Sequence, residues 1–346
     1  MNSPAHQPTS QLLKPYILKL DRKTASHSPT TALQISQEQL AIGFENLPVG
    51  SASALSGWTY DLLKPLTNRN DETQLAILSV FNLILQGKGG SPTLWTISRL
   101  CLIPKPDGGI RPIAVGDVWL RALSRIVNSI VAPSVGPALA PHQYGVGVKG
   151  GAEIVSHLCQ GCQHYMEARD ADTIPWDALD SPDDPISISA LDFINAFNTM
   201  YRSTIYEGVE EHCPSIIPLF QWSYGSSAVL CLSDGLPICT SETGVRQGDP
   251  LGPLLYCVGF HPTLLNLKKN FSKVTPVAYI DDDTLIGPRS HIIAALAYLQ
   301  PKLAAIGQHC NLAKSILLDS SHRDVPSSAS HRPIPVTSVG MKLLYV

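Results

Sequence analysis

Charge is scarce in this chain. Of 346 residues, only 15% are Asp, Glu, Lys or Arg, against about 25% in an ordinary soluble domain. The 25 basic residues are outnumbered by 28 acidic ones, so the Lys/Arg surplus that marks a small basic DNA-binding module is missing. Cysteine is sparse as well. Eight cysteines at scattered positions lack the density and regular spacing of a secreted disulfide scaffold, which favours a reducing, intracellular setting. The first fifteen residues hold no apolar run of the kind a cleavable signal carries. The longest apolar stretch, Leu75 to Leu85, is interrupted by Ser79 and Asn82 and falls well short of the roughly 20 residues a bilayer requires. It reads as a buried helix, and no membrane partner is expected. What the chain does have is 44% hydrophobic residues, enough to build a core and to exclude wholesale disorder.

Residues 1–49 read as a leader, rich in Ser, Thr, Pro, Gln and His and without sustained periodicity up to about 35, then a short helix over Gln34 to Leu47. Residues 72–87 read as a helix ended by Gly87. Leu94 to Val115 carries two β-rich runs around Pro106-Asp107-Gly108-Gly109, a hairpin signal. Helices are expected over Trp119 to Ala132 and Ala152 to Arg169, joined by the glycine-rich loop 143–151, and residues 167–184 form an acidic insertion. After it the pattern changes. Ile186 to Leu191 alternates as a strand and leads into a helix through Val209, and Val229 to Thr240 brackets a second hairpin at Asp234-Gly235. Leu251 to Asn270 and Ile292 to Ile306 are helical, Val274 to Gly287 is strand, acidic turn and strand, and Ile316 to Leu318 is a strand. The order predicts an α+β fold, a sheet with helices on one face.

Three adjacent carboxylates, Asp281, Asp282 and Asp283, sit between the apolar strand segments of AYIDDDTLIG. By themselves they admit three readings: a solvated turn, a divalent-ion site built from oxygen ligands, or a hydrolytic carboxylate pair. Asp192 ends another strand, where a lone Asp is ordinarily a cap or turn residue, yet a neighbouring strand could bring it to the same ion.

The surroundings of these acids carry a resemblance. Leu191-Asp192-Phe193-Ile194-Asn195-Ala196-Phe197-Asn198, Val245-Arg246-Gln247-Gly248-Asp249-Pro250-Leu251-Gly252-Pro253 and Ala278-Tyr279-Ile280-Asp281-Asp282 resemble, in order, the A, B and C motifs of reverse transcriptases. The RQGDPL form resembles the non-long-terminal-repeat (LINE-type) retrotransposon branch. Leu102-Ile103-Pro104-Lys105 and Arg111-Pro112-Ile113 resemble the family's fingers motifs, and Asn311 with Lys314-Ser315 its D motif. The likeness covers residues 45–344, with six motifs in register.

That resemblance implies the fingers (50–185) and palm (186–346) of a right-hand polymerase, the palm an antiparallel sheet backed by helices. It implies RNA-directed DNA synthesis: nucleotidyl transfer from a dNTP to a primer 3′-hydroxyl on an RNA template. Two Mg²⁺ ions, about 3.5–4 Å apart, would stabilise such a transfer, with Mn²⁺ as a substitute. Asp192 and Asp281 match the metal ligands, with Asp282 and the Phe193 carbonyl as contributors, while Asp283 reads as a solvated turn residue. Lys105 and Arg111, otherwise two ordinary exposed cations, match the triphosphate contacts. Phe197, otherwise a core residue, matches the ring under the sugar that excludes a 2′-hydroxyl. Gln247 and Gly248 match the loop contacting nucleotide and template. Lys314, otherwise solvated, matches the proposed general acid for pyrophosphate.

Val339-Gly340-Met341-Lys342-Leu343-Leu344 resembles the start of the primer grip, and no thumb sequence follows it, so a separate thumb or downstream segment is an expected partner. Two rivals stand beside this reading. One is a catalytically silent remnant that binds RNA or a protein, and the other is an RNA-dependent RNA polymerase, which Phe197 disfavours. His157, Cys159, Cys162 and His164 are all zinc-ligand types, but four ligands cannot converge from one short helix. Nuclear localisation would suit a chromosomal element, although no Lys/Arg-rich run supports it. The charge balance also changes meaning. Residues 167–184 hold seven acids and one base, net −6, out of a total of −3, so the rest of the chain is +3 and salt-sensitive nucleic-acid binding is expected after all.

Overall fold

Ser36 opens the first helix, α1 (Gln37–Glu45), with a capping box: its hydroxyl accepts the Gln39 N–H at 3.1 Å, and the Gln39 side chain accepts the Ser36 N–H at 2.9 Å. The computed structural model describes residues 31–67, 71–104, 108–170, 183–318 and 336–337. Most of the expected leader and acidic insertion, Lys105 and the primer-grip segment lie outside the described residues.

Helices α2 (Tyr60–Thr67) and α3 (Asp71–Leu85) follow. Phe44 of α1 and Phe81 of α3 meet with ring centroids 6.3 Å apart, and Gly87 takes the left-handed φ of 73° expected just beyond a helix end. The predicted hairpin is present, but its first residues are not strand. Thr93–Thr96 form a helical turn, α4, before β1 (Ser98–Pro104) and β2 (Ile110–Gly116) pair antiparallel. Helix α5 (Val118–Leu139) runs seven residues past the predicted end, through Pro133 and Pro137. A proline inside a helix costs about 3 kcal/mol. Here Leu123, Ile126, Val127, Val131, Val135 and Leu139 are all buried at helical spacing, each contributing about 1.5–3 kcal/mol, and packing prevails.

Helix α6 (Gly151–Asp170) matches its prediction closely, as does β3 (Ile186–Leu191). The single helix expected after β3 is two, α7 (Ala196–Thr199) and α8 (Arg202–His212). A 3₁₀ turn at Pro214–Ile216 and α9 (Ile217–Tyr224) follow, with no counterpart in the sequence reading. The second hairpin is β4 (Ala228–Cys231) and β5 (Pro237–Ser241), and α10 (Gly252–Asn270) follows. Next come β6 (Thr275–Tyr279), β7 (Asp282–Pro288), α11 (Arg289–Ala305), β8 (Ile316–Leu318) and β9 (Val336–Thr337).

The architecture is α+β as predicted, with two corrections. The described residues form two sheets, ordered β2-β1-β4-β5 and β6-β7-β3-β8-β9. Helices also cover both faces of the second sheet. Cys159 and Met166 of α6 pack on Val277, Ile188 and Leu318 on one face. On the other, Leu191, Ala278, Leu285 and Leu317 join the main core with Leu254, Leu255 and Val258 of α10 and Ile292 and Ala295 of α11. Both strand faces are therefore apolar, as in a sheet covered on two sides. No helix among the described residues is long and apolar enough to cross a membrane.

Candidate active site

The register of the second sheet brings the acids of two distant segments together. Strand β3 pairs antiparallel with β7 from Ile186↔Pro288 to Leu191↔Asp283, so Asp192, one residue beyond β3, lies beside the start of β7, where Asp281 and Asp282 emerge from the β6–β7 turn. Asp192 and Asp281 are half-buried and Asp282 is exposed. Burial, then the Asp282 and Asp192 charges, push the Asp281 carboxyl up to about 6, while Arg111 draws it down. Burial and then Asp192 likewise raise Asp282. The three acids therefore form a single electrostatic unit, with Arg111 of the β1–β2 hairpin bearing on it.

Asp283 departs from its reading as a solvated turn residue. It lies inside β7, opposite Ala278 and Leu191, with 3% of its surface exposed, and its Oδ1 has no hydrogen-bond partner. Strand alternation, which sends Asp282 outward, turns Asp283 into the core. Burial and the Asp281 and Asp282 charges raise its pKa far above the usual carboxylate range.

Asp192 is held by the loop after α11. Its N–H donates to Ser315 Oγ at 3.2 Å, its carbonyl accepts the Asn311 N–H at 2.7 Å, and Ser315 Oγ donates to the Asn311 carbonyl at 3.0 Å. Lys314 is exposed in the same loop. The Phe193 ring is buried edge-on to Phe260 at 5.5 Å. Phe197, in α7, is half-buried and stacks on Tyr256 at 5.1 Å and 27°; Tyr256 in turn stacks on Phe260 at 5.7 Å and 11°.

Gln247 and Gly248 occupy the loop before α10. The Gln247 carbonyl accepts the Ala114 N–H of β2 at 2.8 Å. Gly248 has φ of 127°, and a Cβ there would meet the Ala114 carbonyl oxygen at 2.5 Å, so only glycine fits. The loop is sewn to the Phe197 segment: Val245 N–H to Phe197 O and Gly244 N–H to Met200 O, both 2.8 Å. Arg202 clamps the same junction, its guanidinium donating to the carbonyls of Gly244, Tyr224, Ser226 and Ser241 at 2.9–3.1 Å and to Ser241 Oγ at 3.2 Å. Arg246 stacks over the Tyr224 ring at 4.1 Å, and the Tyr224 hydroxyl donates to Asp249 Oδ2 at 2.6 Å. A cavity of about 310 Å³, lined in part by Asn198, Thr240, Glu242 and Gln247, lies between this loop and the first sheet.

Arg202, Tyr256 and Gln143 were not singled out as site residues by sequence reasoning, and Ser315 entered only as part of the Lys314-Ser315 motif. Each acts on a residue far away in the chain, and Arg202, Tyr256 and Gln143 lie in no local pattern that marks the contact. Of the residues that were singled out, Lys105 lies outside the described residues. His157 and His164 are exposed on α6 while Cys159 and Cys162 turn inward, and burial lifts Cys159 to about 11 and raises Cys162.

The acid cluster suits a hard divalent cation in charge and donor type. Among the described residues no three His, Cys, Asp or Glu side chains close around one point.

Comparison with known proteins gives this geometry a family. The chain is 28% identical over 278 residues to the retrotransposable element SLACS 132 kDa protein of Trypanosoma brucei gambiense, covering 78% of this chain and 22% of that protein. It is 26% identical over 250 residues to the Pol polyprotein of the type-1 retrotransposable element R2 of Popillia japonica, covering 66% of this chain and 33% of that one. The chain thus spans a fifth to a third of the length of these relatives. Among solved structures, apo telomerase from Candida tropicalis aligns with a TM-score of 0.46 at 11% identity, over 66% of this chain and 44% of that one. The reverse transcriptase (RNA-dependent DNA polymerase) profile matches residues 103–332, a span that contains β2, the second hairpin, Asp192, the Gln247 loop and the Asp281–Asp282 turn, and the chain belongs to that family, in its non-LTR retrotransposon branch.

Proposed function

We propose that this chain is the polymerase region of a retrotransposon-like element and adds dNTPs to a primer 3′-hydroxyl on an RNA template. The observation that carries this reading is the placement of Asp192 beside Asp281 and Asp282 by the β3–β7 register, with Arg111 bearing on the same acids. Residues 50–185 form the fingers and 186–346 the palm, with β4 and β5 crossing back to the first sheet.

Asp192 and Asp281, with Asp282 and the Phe193 carbonyl beside them, would hold two divalent ions, Mg²⁺ or Mn²⁺. When bound, such ions activate the 3′-hydroxyl and neutralise charge on the leaving pyrophosphate. Arg111 grips the triphosphate with its planar fork and Lys105 adds a point charge. Phe197 lies under the sugar and excludes a 2′-hydroxyl, and Gln247 and Gly248 guide nucleotide and template. Lys314 delivers a proton to pyrophosphate. A thumb segment as a further partner grips the primer–template, and a nuclear site of action suits an element that inserts into chromosomes.

The test is primer extension on an RNA template with dNTPs and Mg²⁺, comparing wild-type protein with Asp281→Ala, each with and without a thumb segment added. Extension by the wild type and a loss of about 100-fold or more in the variant is expected, the scale of removing one preorganised electrostatic contributor. Equal extension by the two proteins would overturn the mechanism.

A further inference from the structure

The turn that presents Asp281 and Asp282 is strained. Ile280 has φ of 60°, and for a β-branched residue that is a genuine outlier which persists only where the surroundings over-determine it.

Gln143 supplies that constraint from 137 residues away. Its side chain is fully buried, its Nε2 donates to the Ile280 carbonyl at 2.9 Å, and its Oε1 accepts the Ile280 N–H at 2.8 Å and the Gly145 N–H at 2.8 Å. One amide thus satisfies both backbone groups of the strained residue. The bonds also fix its orientation, since a flipped amide would set donor against donor. The backbone beside it is anchored independently, Tyr144 N–H to Ala278 O and Ala278 N–H to His142 O at 2.8 Å each, so residues 142–144 run as a parallel rung along the outer edge of β6. Gly145 completes the cradle, because a Cβ there would lie 2.4 Å from Ile280 Cγ1 and 2.5 Å from the Ile280 nitrogen.

We infer that Gln143, with Gly145, is a positioning residue that holds Ile280 in its left-handed conformation and thereby sets where the Asp281 and Asp282 carboxylates stand. The inference rests on the proposed polymerase reading for its catalytic consequence, though not for the clamp itself. Partners that orient metal-binding carboxylates commonly cost 10–100-fold in metal affinity or activity when removed.

The experiment uses the full chain, Gln143→Met, Gly145→Ala, Ile280→Gly and the Gln143→Met/Ile280→Gly double variant. Amide exchange is followed at Ile280, Ala278 and Tyr144, and primer extension is titrated with Mg²⁺. In Gln143→Met the Ile280 amide should exchange at least about tenfold faster while Ala278 and Tyr144 stay protected, and the Mg²⁺ concentration at half-maximal rate should rise about tenfold or more. Glycine accepts a positive φ without strain, so the double variant should recover part of that Mg²⁺ shift, which a general loss of folding would not allow. If Gln143→Met does not fold, Gly145→Ala, which removes no hydrogen bond and displaces the turn, decides by the same two readings. Unchanged Ile280 exchange in the folded variants, or an unchanged Mg²⁺ requirement alongside an active wild type, overturns the inference. A wild type without extension defeats the polymerase reading instead, and the exchange result still decides the clamp.

Discussion

Replacing Asp283 with valine should make this protein more stable. The carboxyl is 3% exposed, its Oδ1 lacks a partner, and it shares the core face of the sheet with Ala278, Leu191 and Leu285. A buried polar atom left unsatisfied costs about 1–3 kcal/mol, and valine suits a covered strand at similar volume. A gain of about 1–3 kcal/mol corresponds to a Tm rise of about 1–4 °C in a chain of this size. The pH dependence has a definite sign. The folded pKa of Asp283 lies well above its ordinary value, so the folded state holds a proton that the unfolded chain releases. Its favourable contribution is greatest at low pH and is lost as pH rises from the unfolded value near 4 towards the folded pKa. The advantage of Asp283→Val should therefore be largest near neutral pH and shrink at pH 4. Thermal melts in EDTA at pH 4, 5.5 and 7, wild type against variant, measure it. A lower Tm for the variant at pH 7, or a gain that does not diminish at pH 4, would refute the account of a buried, unpaired acid.

Two further outcomes follow from the loop contacts. Arg202→Lys replaces a fork donating to four carbonyls and a hydroxyl with a point charge; melting should fall by several degrees and the KM for dNTP should rise several-fold as the Gln247 loop loosens, and steady-state kinetics showing an unchanged KM would count against the clamp. Phe197→Ala should raise rNTP use relative to dNTP by about tenfold or more, and Tyr256→Leu, which removes the ring stacked on Phe197 at 5.1 Å, should move the same ratio by a smaller factor without adding to the effect of Phe197→Ala; single-nucleotide incorporation measures both.

Much of the fold was legible because its elements carry local signals. The helix stop at Gly87, the Asp234-Gly235 hairpin and the alternation of Ile186 to Leu191 each specify structure within a few residues. The clustering of Asp192 with Asp281 and Asp282 was legible for a related reason, since they stand at strand ends and the motifs around them are contiguous. Where the local signal and the packing disagreed, packing won. Pro133 and Pro137 mark helix ends by propensity but lie in a helix whose buried face continues past them. Asp283 looked like the third residue of a solvated turn, yet strand pairing begins at Asp282 and the pleat sends its neighbour inward. The separation into two sheets escaped as well, because the parallel contact between β1 and β4, Ser98↔Leu230 and Arg99↔Cys231, joins segments 132 residues apart in sequence.

The residues that hold the site share a property that explains why their contacts were not legible in the sequence. Gln143, Arg202 and Ser315 act chiefly on backbone: the Ile280 amide and carbonyl, four loop carbonyls, and the Asp192 N–H. A backbone group is the same whatever residue bears it, so the sequence around the target carries no complementary mark, and the donor itself is one polar residue among many. The arrangement still has a physical logic. The groups assigned to chemistry stand on strand ends and loops, where backbone hydrogen bonds are left over, and leftover groups near buried carboxylates cannot be abandoned to water-poor surroundings without cost. Side chains from elsewhere must satisfy them, and in doing so they tie the turn of Asp281, the end of β3 and the Gln247 loop to separate parts of the chain. Rigidity at this site is thus a consequence of satisfying its backbone, and substitutions at Gln143, Arg202 or Ser315 should disturb geometry before they disturb charge.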